Sequence, residues 1–189
     1  MGTPEETYMK WFVFSDLHGS AYYCEKTLQA FEREKADRML FLGDILNHGP
    51  RNALPERYDP PAVIDMLNAY KDRIIAIKGN CDSDVDSAVM QFPVNTDFAV
   101  IPAGNRIIYV THGHVYNKNN LPPMQKGDII MTGHTHVPVC EETEEYFYVN
   151  PGSVSIPKGD STNSYMILTE EGMTWKDLDG NAYMQYSFR

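Results

Sequence analysis

Three short apolar runs shape the first half of the chain: KWFVFSD (10–16), RMLFLGD (38–44) and RIIAIKGN (73–80). Each has the length of a buried strand, and each ends in an acid or an asparagine. Between the first two lies AYYCEKTLQAFEREK (21–35), with Tyr23, Leu28 and Phe31 at helical spacing and Ser20 as an N-cap. Between the second and third, a Pro- and Gly-rich loop leads into a helix expected over 62–71, after Pro60 and Pro61. Strands alternating with helices in this way build a parallel sheet with right-handed crossovers. A further helix is expected near 83–91. Beyond it the stretches DFAVIPAG, NRIIYVTHG, DIIMTGH, VPVCEE, YFYVNPGS, SYMILTE and MTWKDL predict a strand-rich second half.

Length bounds the organisation. With 189 residues, 42% hydrophobic and 22% charged, the chain reads as one domain over 9–189, with residues 1–8 a disordered lead-in or a remnant. No apolar run approaches the ~20 residues that span a bilayer, and MGTPEETYMK is too acidic for a secretory signal. The three cysteines, Cys24, Cys81 and Cys140, are widely spaced and odd in number, which fits a reducing, cytoplasmic setting. A net charge of −10 argues against gripping duplex nucleic acid through its phosphates. It leaves open a small phosphorylated substrate, because a bound dication supplies positive field locally.

The stretch GNCDSDVDS (79–87) invites a calcium-loop reading. Counted from Asp82, position six is Ser87 instead of glycine and position twelve is Pro93, so the pattern fails where it is most demanding. Asp82 or Ser83 is expected to cap the following helix, with Asp84 and Asp86 in its first turns, where negative charge suits the dipole.

The six histidines are clustered. His18 lies in DLHG, His48 in GDILNHGPR, His112 and His114 in THGH, and His134 and His136 in GHTH. Loops at the carboxyl ends of parallel strands converge on one rim. Asp16, His18, Asp44, Asn80, His112, His134 and His136 therefore fall at the ends of five strands on that rim. In extended backbone, residues i and i+2 point the same way, so D-x-H and H-x-H each aim two ligands at one cavity. Imidazole, carboxylate and amide oxygen form a mixed N/O set suited to divalent transition ions. Seven ligands exceed the needs of one ion and suit two that share a carboxylate. A single D-x-H is usually only a polar loop; the ordered series of five is what carries the metal reading.

That series, DLHG (16–19), GD (43–44), GNCD (79–82), THGH (111–114) and GHTH (133–136), resembles the calcineurin-like metallophosphoesterase superfamily. GDILNHGPRNALPE (43–56), GNCDSDVD (79–86) and NPGSVSIPKG (150–159) resemble its YfcE group of bacterial phosphodiesterases, in register over nearly the whole chain. The resemblance implies a four-layer α/β/β/α sandwich. It implies one metal on Asp16, His18 and His136, a second on Asn80, His112 and His134, and Asp44 bridging them. The ions would be manganese first, with iron, zinc, cobalt or nickel also suited. The implied reaction is hydrolysis of a small phosphodiester by a metal-bridging hydroxide, in a homo-oligomer (dimer or tetramer).

Many superfamily members carry histidine where this chain has Cys81, after the ligand asparagine, to assist the leaving group. A thiol is a weaker donor there, so Cys81 and His48 are both candidates for that role beside Asn80, and His48 equally suits ordering the Pro-rich loop. Arg51 and His114 are candidate substrate contacts. Two other functions compete: a phosphomonoesterase or nucleotide pyrophosphatase on the same metals, and a non-catalytic scaffold like the retromer subunit of the superfamily. The complete ligand set argues against the scaffold.

Overall fold

The fold is taken from a computed structural model that describes residues 8–103 and 106–188. Residues 1–7 of the expected lead-in, and residues 104, 105 and 189, lie outside them. Eleven strands and three α-helices follow in chain order: β1 (Trp11–Phe14), α1 (Ala21–Glu34), β2 (Arg38–Phe41), α2 (Pro60–Asn68), β3 (Ile74–Ala76), α3 (Asp84–Val89), β4 (Phe98–Ala103), β5 (Arg106–Thr111), β6 (Ile129–Met131), β7 (Val139–Glu142), β8 (Phe147–Asn150), β9 (Ser164–Thr169), β10 (Gly172–Asp177) and β11 (Ala182–Ser187). The expected helix over 62–71 starts earlier, with both prolines in its first turn, and gives way to a 3₁₀ turn at Lys71–Arg73. The polar alternation of β11 gave no strand signal in the sequence.

The strands form two sheets, ordered β11-β10-β9-β1-β2-β3 and β4-β5-β6-β8-β7. β1, β2 and β3 run parallel, as do β5, β6 and β8. Strand alternation sorts the side chains between two cores. Phe12, Phe14, Met39, Phe41, Tyr165 and Ile167 pack under the helices, while Val13, Leu40, Met166 and Leu168 face the second sheet. There they meet Ile108, Val110, Ile129, Met131, Phe147 and Val149.

Helix α1 presents Ala21, Cys24, Leu28 and Phe31 to the first sheet. Ser20 caps its start by accepting the Tyr23 N–H, and Lys35 ends it in the left-handed region at φ 51°. The two-sheet α/β architecture matches the expectation, with one difference. The implied four layers would place helices outside the second sheet too, yet among the described residues no α-helix follows Val89. The β5–β6 crossover is the segment that would supply one, and Gly113, Pro122 and Pro123 break helical structure there. No helix of the described residues is long and apolar enough to cross a membrane.

Trp175 ties the two sheets together. It is fully buried, and its Nε1–H donates to the Asn150 carbonyl at the end of β8 (2.7 Å). Trp175→Phe removes that donor, strands a buried carbonyl and leaves a void. The expected loss is about 2–3 kcal/mol, read as a lower urea midpoint with unchanged slope.

Candidate metal centre

Every predicted ligand comes from a loop that follows a parallel strand. Asp16 and His18 follow β1, Asp44 follows β2 and Asn80 follows β3; His112 follows β5, and His134 and His136 follow β6. The rim thus joins the carboxyl ends of both sheets. Backbone hydrogen bonds fasten its loops together: Asp16 N–H to Gly43 O (3.1 Å), His18 N–H to Asp44 O (2.9 Å) and Gly133 N–H to His112 O (2.8 Å).

The local backbone differs from the extended D-x-H and H-x-H reading. Asp16, His18, Asp44, His134 and His136 all lie at positive φ, between 50° and 66°. This left-handed region is sparsely populated by non-glycine residues, and Asp and His enter it more readily than most. The pairs still converge on one cavity, but through successive left-handed turns. Gly79 is required at its place for a separate reason: a Cβ there would collide with the Asp44 side chain and backbone.

Among the described residues three groups could hold an ion, of which the group of His18, Asp44 and Cys81 shares a residue with each of the two predicted ones. Asp16 Oδ1 lies 3.6 Å from His18 Nε2 and 3.3 Å from His136 Nε2, and the two imidazole nitrogens are 3.2 Å apart. Asp44, His112 and His134 form the second group, where Asn80 Oδ1 stands 3.1 Å from His112 Nε2. Asp44 Oδ2 faces both, at 3.7 Å from His18 Nε2 and 3.4 Å from His112 Nε2. It occupies the position of a shared carboxylate.

The rings of His18, His112 and His136 are each anchored at Nδ1, to Asn47 O (2.7 Å), Leu42 O (2.7 Å) and Ile156 O (2.6 Å). A carbonyl only accepts, so each Nδ1 carries the proton and each Nε2 turns a lone pair inward. Those lone pairs face carboxylate oxygens. Asp16 Oδ1 is buried and has no hydrogen-bond partner. Acceptors turned on acceptors in a buried site call for a cation, and the residues fit one.

The electrostatics say the same. Burial would raise the Asp16 carboxyl, but His136 and His18 outweigh it and hold it well below the usual range. Burial would likewise lower His112, yet Asp44 and Asp16 raise it to about 9. His134 and His114 are pushed down instead, by burial and by the neighbouring His112.

A cleft of about 420 Å³ opens over the ligands. Asp44, Asn80, Cys81, His134 and His136 line it, with Arg51 and Lys158 from two surrounding loops. His48 and His114 are not among its lining residues. The His48 ring instead packs edge-on against Tyr58, 5.5 Å between centroids, which favours loop ordering over leaving-group assistance. His114 is exposed beside His112, with 5.5 Å between centroids.

Two positioning residues escaped the sequence reading. Ser83, as expected, caps α3, and its N–H is held by Asp86 Oδ2 (2.8 Å). Asp82 does not join the cap. Its buried carboxylate accepts three backbone N–H groups, from Gly79 (2.7 Å), Asp44 (2.9 Å) and Ile45 (2.7 Å), and so clamps the β2 and β3 loops together. Asn150, fully buried, donates from Nδ2 to Gly133 O (2.7 Å) and Thr135 Oγ1 (3.1 Å), fixing the GHTH turn. Nothing in the sequence distinguishes Asp82 from an ordinary helix cap. The only sign of Asn150 is a polar residue closing an apolar run.

Comparison with known proteins follows the same lines. The family model described as the calcineurin-like phosphoesterase superfamily domain matches residues 9–173. Phosphodiesterase YfcE of Escherichia coli (strain K12) is 44% identical over 163 residues, covering 86% of this chain and 89% of that protein. A solved structure of Yfce, a phosphoesterase from E. coli, superposes with a TM-score of 0.91 at 41% identity, over 96% of this chain and 100% of that one. Vacuolar Protein Sorting 29 from Cryptosporidium parvum shares the fold alone, with a TM-score of 0.62 at 19% identity, over 96% of this chain and 100% of that one.

Asp82→Asn turns an amide NH₂ toward backbone donors while keeping the volume. The expected result is a loss of about 2–3 kcal/mol in stability and roughly 10–100-fold weaker Mn²⁺ binding. Thermal unfolding and calorimetric metal titration check the two effects separately.

Proposed function

The chain belongs to the calcineurin-like phosphoesterase superfamily, and on that premise we propose how its site works as a metal-dependent phosphodiesterase. It is a phosphoric diester hydrolase that uses divalent metal ions. Asp16, His18 and His136 would hold one ion, and Asn80, His112 and His134 the other, with Asp44 shared. Manganese heads the suited ions because the donor set mixes imidazole with hard carboxylate and amide oxygens. Held there, such ions would supply Lewis-acid polarisation of phosphoryl oxygens and of water. The observation that carries this reading is the unpartnered, buried Asp16 Oδ1 among inward-facing imidazole lone pairs.

The chain's own groups do the rest. The Nδ1 anchors keep three rings in one tautomer and orientation, so no reorganisation accompanies the reaction. Asp44 Oδ1 accepts the Cys81 N–H (2.8 Å), which leaves Oδ2 for the shared position. Asn80 Nδ2 donates to Cys81 Sγ (3.2 Å), which turns its amide oxygen toward His112. Burial and the nearby Asp44 push the Cys81 thiol up to about 12. A thiol is also a weaker hydrogen-bond donor than an imidazole toward a departing oxygen. With Cys81 weak and His48 outside the cleft, the site suits diesters whose leaving group departs without protonation.

Chelator-stripped protein should hydrolyse bis(p-nitrophenyl) phosphate only after Mn²⁺ is restored, and faster than p-nitrophenyl phosphate. Asp44→Asn should lower kcat by on the order of 10²-fold or more. Across a series of aryl phosphodiesters, kcat/KM should fall steeply as the leaving-group pKa rises. Metal-independent turnover, or a faster monoester, would overturn this assignment.

A further inference from the structure

The centre accounts for Asp16, Asp44, Asn80 and the four buried or half-buried histidines. It does not use two side chains that border the same cleft, Arg51 and Lys158. Both are exposed, and neither has a hydrogen-bond, ion-pair or ring partner among the described residues. Other cations of the chain are paired: Lys10 and Lys176 meet Glu34, and Arg57 meets Glu25. Arg51 and Lys158 differ from the chain's other unpaired cations in lining one cleft over the candidate ligands.

Their backbones are fixed even though their side chains are free. The Lys158 N–H donates to His136 O (3.1 Å), and its carbonyl accepts from Ser161 Oγ (2.7 Å). The same loop orients the His136 ring through Ile156 O. Arg51 lies inside a turn closed by Asn52 N–H to Gly49 O (3.2 Å) and by Asn52 Nδ2 to His48 O (2.9 Å). Both side chains therefore start from fixed backbone positions at the edge of the cleft, on different loops.

The scissile group does not need them. Two divalent ions would already balance the combined charge of Asp16, Asp44, a hydroxide and a singly charged phosphodiester. We propose that Arg51 and Lys158 form a second anion subsite, which recognises a phosphomonoester on the organic part of the substrate. A phosphomonoester near neutral pH carries close to two charges and three acceptor oxygens. That matches one forked guanidinium and one ammonium better than a carboxylate does. The substrate class follows: a phosphodiester that also bears a terminal phosphate. This rests on the phosphodiesterase assignment above.

The probes are thymidine 5′-(p-nitrophenyl phosphate) and its 3′-phosphorylated counterpart, which share a leaving group and differ only in the second phosphate. The native Mn²⁺-loaded protein should prefer the 3′-phosphorylated ester by about tenfold or more in kcat/KM. Lys158→Gln and Arg51→Gln should each cut that preference about five- to tenfold, chiefly through KM. Calorimetry with phosphonate-linked, non-hydrolysable versions should show the same ratio in Kd, independently of turnover. Equal kcat/KM for the two esters in the native protein, or a preference that both variants keep, would overturn the subsite and leave the phosphodiesterase assignment intact. Failure to hydrolyse either ester or bis(p-nitrophenyl) phosphate would overturn both.

Discussion

The molecule is organised around buried negative charge. Asp16 and Asp44 both lie within a few ångströms of His18 Nε2, and Asp82 sits directly behind Asp44. Three carboxylates so placed repel one another and lose hydration together. Asp82 is offset by three peptide N–H groups, a solution internal to the chain. Asp16 and Asp44 each accept one backbone N–H, from His134 (3.0 Å) and Cys81 (2.8 Å), but their other oxygens face rings already committed to carbonyls on their far side. A cation completes the arrangement, and the surrounding loops are shaped to receive it.

That shape carries strain. Five of the seven ligands are non-glycine residues at positive φ. Each such residue costs on the order of 1–3 kcal/mol, and it persists only where neighbouring structure over-determines it. Here the over-determination is visible. The β1 and β2 loops exchange backbone hydrogen bonds, and Asp82 ties the β3 loop to the β2 loop. Ser153 and Ser155 both donate to Asp16 O at 2.8 Å, and Asn150 holds the turn before His136. Behind the rim, the two sheets pack through an apolar interior that contains Trp175, whose indole reaches the same Asn150. The stability of the sheets thus supports a strained, preorganised site.

Much of the site was legible from local pattern. Apolar runs that end in Asp, Asn or His mark strand ends, and parallel strands send their ends to one rim, so spacing placed the seven candidate ligands there. The left-handed geometry was not legible, since Asp and His have no sequence sign that separates a left-handed turn from an extended one. His48 illustrates the limit of neighbourhood arguments: four residues after the shared Asp44, it turns away to Tyr58. Lys158 illustrates the converse. It is far from every other ligand loop in sequence but is brought to the cleft by its bond to His136 O.

The sequence by itself determined the alternation of strand and helix, the ligand types and the chemistry they suit, because these depend on side-chain identity and short-range periodicity. Tertiary structure decided what depends on contacts distant in the chain. It returned β9, β10 and β11 to the first sheet and left the second sheet without a helical cover among the described residues. It made Asp82 a clamp in place of a helix cap, and set Arg51 and Lys158 on one cleft. Hydrogen bonding and burial between remote segments carry no period and no local signature, so only the folded chain could assign them.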